Sequence, residues 1–256
     1  MKRIEAPTLE QHTAYTKLRK LVGPGRQDGT PNSAAFEAQV ERLRQSYPGG
    51  LSGPKWEAEL RGSDADQALG RDAAIAHART ELARERLDTL LSARQFDKVW
   101  ALVMSVLQKS GLLPAAQARL TVPSERVHDV AVAVCSLLSD SAVKADRFDR
   151  LVTTLTVATG RIPSWELVTA PCALLYPREH VYVELGNFRR QLKVNGSRRA
   201  LPARPTGAGY AIALAHTHAL VRKLTEYGEA PRDLLEVRDF MARTLGPART
   251  KKSTST

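Results

Sequence analysis

Six basic side chains, Arg189, Arg190, Lys193, Arg198, Arg199 and Arg204, lie between Gly186 and Pro205 with no Asp or Glu among them. Guanidinium forks match the geometry of phosphate oxygens, and a local excess of cations attracts a polyanion. Asn195-Gly196, in the middle of the run, is a strong short signal for a hairpin turn. That turn would set Lys193 and Arg198/Arg199 on adjacent strands, close in space. The competing reading is a solvated hairpin whose charges keep its edge from pairing with other chains.

Other chemistry is weakly supported. "GPGRQDGTP" has the glycines of a phosphate loop but follows a helical pattern and lacks the Gly-Lys-Ser/Thr that the loop requires. His216 and His218 stand two apart, and on a helix such positions point to different faces, whereas helical zinc ligands are spaced i,i+4. His180 and Glu184 would share a strand face but sit roughly 13 Å apart along an extended chain. No metal ligand set emerges, and no cofactor is expected. His128 and Asp129 are adjacent, so on a helix they diverge by about 100° and form no preoriented dyad. Cys135, in "VAVAVCSLL", reads as a small buried hydrophobe. Cys172 is the one thiol with a claim to reactivity, and nothing basic near it in sequence would lower its pKa. No catalytic residue is assigned.

The totals constrain what can carry these groups. The 256 residues hold 43% hydrophobic and 25% charged side chains, ordinary for a globular protein, with aromatics at only 5%. Net charge is +11, made by 27 Arg and 11 Lys against 27 acids. That balance favours nucleic acid or another polyanion, although an Arg- and Ala-rich composition also follows from a GC-rich genome. Distribution is therefore the better guide. Residues 57–98 hold nine acids and seven bases, near balance, whereas the excess gathers at 186–205, in "YTKLRKLVGPGR" near the start, and at Arg249, Lys251 and Lys252. No apolar run approaches the ~20 residues of a spanning helix, and the start lacks the apolar core of a secretory signal. Two cysteines make no disulfide framework, so a reducing cytoplasm is expected.

Helical periodicity dominates the elements. Thr8 and Gln11 are spaced as a capping box before Tyr15, Leu18 and Val22. Phe36, Val40, Leu43 and Tyr47 predict a helix over about 33–46, and Ser63 can cap a long helix running through Leu69, Ala76, Leu87 and Leu90. Val99, Val103, Val106 and Leu107 give the most apolar helix, with Gly111 as its stop. Ser124 is expected to cap the helix of Val127, Val130, Val134 and Leu138, and another runs from Phe148 to Gly160. From 165 the texture changes: "WELVTAPCALLYP" reads as irregular or extended, and "HVYVEL" alternates with period two, which predicts a half-buried strand. Two helices close the chain, the second with Pro231 in its first turn. The fold class predicted is mainly α, with a small antiparallel β hairpin over about 165–200. Four regions follow: an N-terminal helical segment with loops (1–62), a helical core (63–160), an α+β part with the basic hairpin (161–246) and a disordered tail (247–256).

"YPGGLSGPKW" (47–56), "YPREHVYVEL" (176–185) and "GEAPRDLLEVRDFM" (228–241) together resemble an uncharacterised bacterial protein family of similar length. The matching residues are Pro48-Gly49-Gly50, Trp165, Pro177 with His180, and Pro231-Arg232-Asp233 with Val237 and Phe240. Where that family has Lys-Pro after its strand, this chain has Gly186-Asn187. The resemblance implies no activity.

The preferred expectation is a non-enzymatic accessory protein that binds the phosphate backbone of DNA or RNA through Arg189, Arg190, Lys193, Arg198 and Arg199. One alternative is a protein-interaction subunit of a multi-component bacterial system, with "TAPCALLYP" as its contact surface. The other is an enzyme with a pocket around His180, Tyr182, Glu184 and Arg232.

Overall fold

The computed structural model describes residues 33–62, 69–114, 117, 120–142, 144–197 and 199–245. The described chain is mainly helical, with ten α-helices of nine residues or more: α1 (Ser33–Ser46), α2 (Arg71–Glu81), α3 (Arg84–Ser92), α4 (Phe96–Lys109), α5 (Val127–Leu138), α6 (Ala145–Thr159), α7 (Trp165–Leu175), α8 (Leu185–Val194), α9 (Gly207–Glu226) and α10 (Leu234–Thr244). The helix predicted over Tyr15–Val22, the tail, Arg198 and Ser63 lie outside the described residues.

Where apolar residues recur every three or four positions, the helices stand where the pattern puts them. Phe36, Val40 and Leu43 of α1 are buried in line, and so are Val99, Val103, Val106 and Leu107 of α4. Gly160 closes α6 in the left-handed conformation, donating its amide to the Thr156 carbonyl. The long helix expected from Ser63 is instead two, α2 and α3, separated at Leu82–Ala83. Ser124 opens a short 3₁₀ turn before α5 rather than capping it, its hydroxyl bonding Glu125. Asp233, not Pro231, sets the start of α10: its carboxylate accepts from the Glu236 amide.

Residues 165–200 depart furthest from the sequence reading. Among the described residues no strand is assigned there; two helices take its place. Trp165–Leu175 is the helix α7, capped by Ser164, whose hydroxyl accepts from the Leu167 amide. Pro171 lies inside it and removes one intrahelical donor. Almost every side chain of α7 is buried, against α2, α4, α5 and α6, so no polar stripe marks it as helical in the sequence. "TAPCALLYP" is for the same reason no contact surface, since nearly all of it lies in the core.

The expected half-buried strand is a fully buried extended segment. His180, Val181, Tyr182 and Val183 are all enclosed, so nothing alternates. Its backbone is satisfied by side chains instead of a neighbouring strand: the Tyr210 hydroxyl accepts from the Val181 amide at 3.1 Å, and Thr169 Oγ1 from the Val183 amide at 3.0 Å. Asn195-Gly196 ends α8 rather than turning a hairpin. Gly196 takes φ +67°, its amide bonds the Lys193 carbonyl, and the Ser197 amide reaches back to Leu192. These two bonds and the left-handed glycine make a Schellman cap, which asks for the same dipeptide as a tight hairpin. The buried apolar residues from Phe36 to Met241 form one continuous cluster. No helix among the described residues is long and apolar enough to cross a membrane.

Candidate functional site

Helix α8 carries three of the predicted contact residues, and its amphipathicity sorts them. Phe188, Gln191 and Leu192 face inward, at spacings of three and four, while Arg189 and Lys193 are exposed on the other side with Arg190 at the boundary. The helix is held by more than apolar packing. Gln191 and Gln39 of α1 exchange amide hydrogen bonds at 2.8 and 2.9 Å in a fully buried pair, and Gln39 also donates to Thr244 Oγ1 of α10. A buried amide pair satisfied on both sides fixes the rotation of α8 about its axis. The outer face is thereby presented as a fixed surface.

Two of the basic groups also fold the following loop onto that surface. Arg189 donates from Nε and Nη2 to the Leu201 carbonyl at 3.0 and 2.9 Å, bringing residues 199–204 against the helix. Arg190 donates to Asn187 Oδ1 at 2.6 Å. Lys193 and Arg204 are exposed, Arg199 is half-buried, and Arg198 lies outside the described residues. From Leu185 to Thr225 the chain contains no carboxylate side chain. Glu184, at the N-cap of α8, is taken by Arg238 and Asn187.

A second charged assembly, not anticipated from sequence, surrounds the start of α10. Arg61 is buried, and it donates to Asp233 at 2.7 Å, to Glu236 at 2.8 Å and to Asp72 at 2.5 Å. Burial works against its charge, but Asp233 and Glu236 outweigh that and raise its pKa. Arg71 binds both oxygens of Asp239 at 2.9 and 3.0 Å, Arg238 bridges Asp239 and Glu184, and Arg232 joins Glu57 to Glu236. The three motifs of the family resemblance meet here. Leu51, next to Pro48-Gly49-Gly50, donates its amide to Glu229, and the Leu234 amide donates to the Pro177 carbonyl. Arg61 gave no local signal of this assembly, because Asp233 and Glu236 lie 172 and 175 residues away in sequence.

The residues of the expected enzyme pocket do not bond to one another. His180 is buried, with Nε2 on the Ser141 carbonyl at 3.1 Å and Nδ1 on the Tyr210 hydroxyl at 3.0 Å. Burial pushes its pKa down to about 4, so the ring is neutral. Tyr182 donates to the Leu112 carbonyl at 2.5 Å, Glu184 is held by Arg238, and Arg232 faces Glu57 and Glu236. Each is a connector in the core or the ion network.

Burial raises the Cys172 thiol to about 12 and Cys135 to about 11, which leaves both as inert thiols. His216 and His218 are partly covered and both lowered by burial, His216 to about 4. His128 and Asp129 are exposed and touch at 3.0 Å, closer than adjacent helical positions suggest. Among the described residues no group of three His, Cys, Asp or Glu is placed to hold a metal. No family model, no curated protein and no solved structure matches the chain, so the resemblance above stands on its three short motifs.

Proposed function

We propose that this protein is a non-enzymatic, cytoplasmic accessory factor that binds the phosphate backbone of nucleic acid on the outer face of α8 and the loop folded against it. The observation that carries the reading is the sorting of charge along α8. Phe188, Gln191 and Leu192 lock one side into the core, and Arg189 and Lys193 stand on the other with no carboxylate in the surrounding sequence. Arg190 and Arg199 supply further cations at its edges, and Arg198 stands next to Arg199 in the sequence. A helix presents such groups at fixed spacing, so several phosphates can be contacted at little entropic cost per contact. Contacts to phosphate oxygens carry no sequence information, so binding is weakly sequence-specific.

The test is a titration against duplex DNA, single-stranded DNA and RNA across a range of salt. Four or five phosphate contacts give a log–log salt slope of roughly −3 to −5. Changing Arg189, Arg190, Lys193, Arg198 and Arg199 together to Gln flattens that slope and weakens binding at least ~100-fold. Absence of binding at low salt, or a slope unchanged in the substituted protein, refutes the reading.

A further inference from the structure

A shallow groove of about 340 Å³ lies between α5 and α6. Its lining is unlike the rest of the surface. Among the described residues four large apolar side chains are exposed: Leu69, Val132, Val157 and Ile162. Val132 and Val157, 38% and 62% exposed, both line this groove, and Ile162 follows just beyond the end of α6. Three of the four exposed large apolar residues among those described thus lie on or just past these two helices, which is the pattern of a contact site.

The charges around the groove indicate what fits it. Arg126 and Arg150 line it and neither makes an ion pair among the described residues. The one carboxylate in the lining, Asp129, is engaged by His128 Nδ1 at 3.0 Å. An apolar floor between two uncommitted guanidinium groups suits an occupant with an apolar stripe flanked by acids. A groove between two helices accepts a third helix through anchors at i, i+3 or i+4 and i+7. Nucleic acid would leave the valines uncovered.

We infer that the α5–α6 groove docks an acidic amphipathic helix of a partner protein. Val132 and Val157 take its apolar anchors, and Arg126 and Arg150 pair with its Asp or Glu residues. This is independent of the α8 reading and rests on none of its residues.

The probe is a random peptide library of roughly 16 residues panned against the full chain, with counter-selection on Val157→Asp. Val157 is exposed, so the variant keeps the parent's unfolding midpoint, checked by circular dichroism. Expected is enrichment of sequences with apolar residues at helical spacing flanked by Asp or Glu. Synthetic versions should bind at least ~10-fold more weakly to Val157→Asp and at least ~3-fold more weakly to Arg126→Gln/Arg150→Gln. Three results overturn the inference: no enrichment, enriched sequences without acids, or binding unchanged by Val157→Asp. Two more assign the groove elsewhere and equally refute it. One is concentration-dependent self-association abolished by Val157→Asp, which makes a second copy the occupant. The other is binding to anionic phosphatidylserine vesicles or duplex DNA that Arg126→Gln/Arg150→Gln removes.

Discussion

Two arginine-rich regions lie side by side and use their charge in opposite ways. Around the start of α10, Arg61, Arg71, Arg232 and Arg238 are committed to Asp233, Asp239, Glu236, Glu184 and Glu57. On α8, reached from the first region through the Glu184–Arg238 pair, Arg189 and Lys193 face outward with no carboxylate beside them. Both regions are rich in arginine. What separates them is whether the fold brings an acid to each guanidinium, and that depends on contacts between distant segments. Net charge alone describes neither: the first is neutralised internally and holds the protein together, while the second is left over for a ligand.

The comparison can be broken most sharply at Arg61. Arg61→Ala removes the cation from between Asp233 and Glu236 and should cost about 3–5 kcal/mol, because two buried carboxylates lose their partner. Arg61→Met together with Asp233→Asn and Glu236→Gln should recover much of it, since desolvated charge is removed rather than orphaned. Chemical denaturation of both variants measures this; an Arg61→Ala loss under 1 kcal/mol would place the pair in solvent instead.

Acid provides the next contrast, because His180 is buried without a carboxylate partner. Its folded pKa of about 4 lies below the ordinary 6.5, so the unfolded chain binds more protons between those values. Stability is therefore full above pH 6.5 and falls as pH drops towards 4, by on the order of 3 kcal/mol from this ring. Urea midpoints at pH 7, 5.5 and 4.5 should fall in sequence, and His180→Asn should flatten the trend while lowering stability at pH 7.

Gly50 tests the backbone side of the α10 assembly. It takes φ +61°, and a Cβ there would lie 2.1 Å from Glu229 Oε2, the atom that accepts from the Leu51 amide. Gly50→Ala should cost about 1–3 kcal/mol through backbone strain and displacement of Glu229. The smallest effect belongs to the other region. Lys193→Gln should change stability by less than about 0.5 kcal/mol while lowering the salt slope of nucleic-acid binding by about one. A large stability loss there would make α8 a second internal network and end the contrast.

How much was legible in the sequence follows from what each segment buries. Helices with one wet face announced themselves, and α1, α4 and α6 stand where Phe36, Val99 and Phe148 begin their stripes. Helix α7 did not, because enclosure on nearly all sides erases the polar half of the pattern, and Pro171 argued against it. The basic stretch was legible as charge but not as shape. Asn195-Gly196 supplies a left-handed residue, and a helix end uses it as readily as a hairpin. The ion network was missed because Arg61 and Asp233, which meet in the core, stand 172 residues apart in the chain.

By itself the sequence determined the helical class, the most regular helices and the place where cations accumulate, since periodicity and composition are properties of neighbours in the chain. Only the tertiary structure decided which arginines are neutralised, that His180–Val183 is core and that α8 turns its bases outward. Those outcomes rest on burial and on pairing between residues far apart in sequence, and no short window contains both members of such a pair.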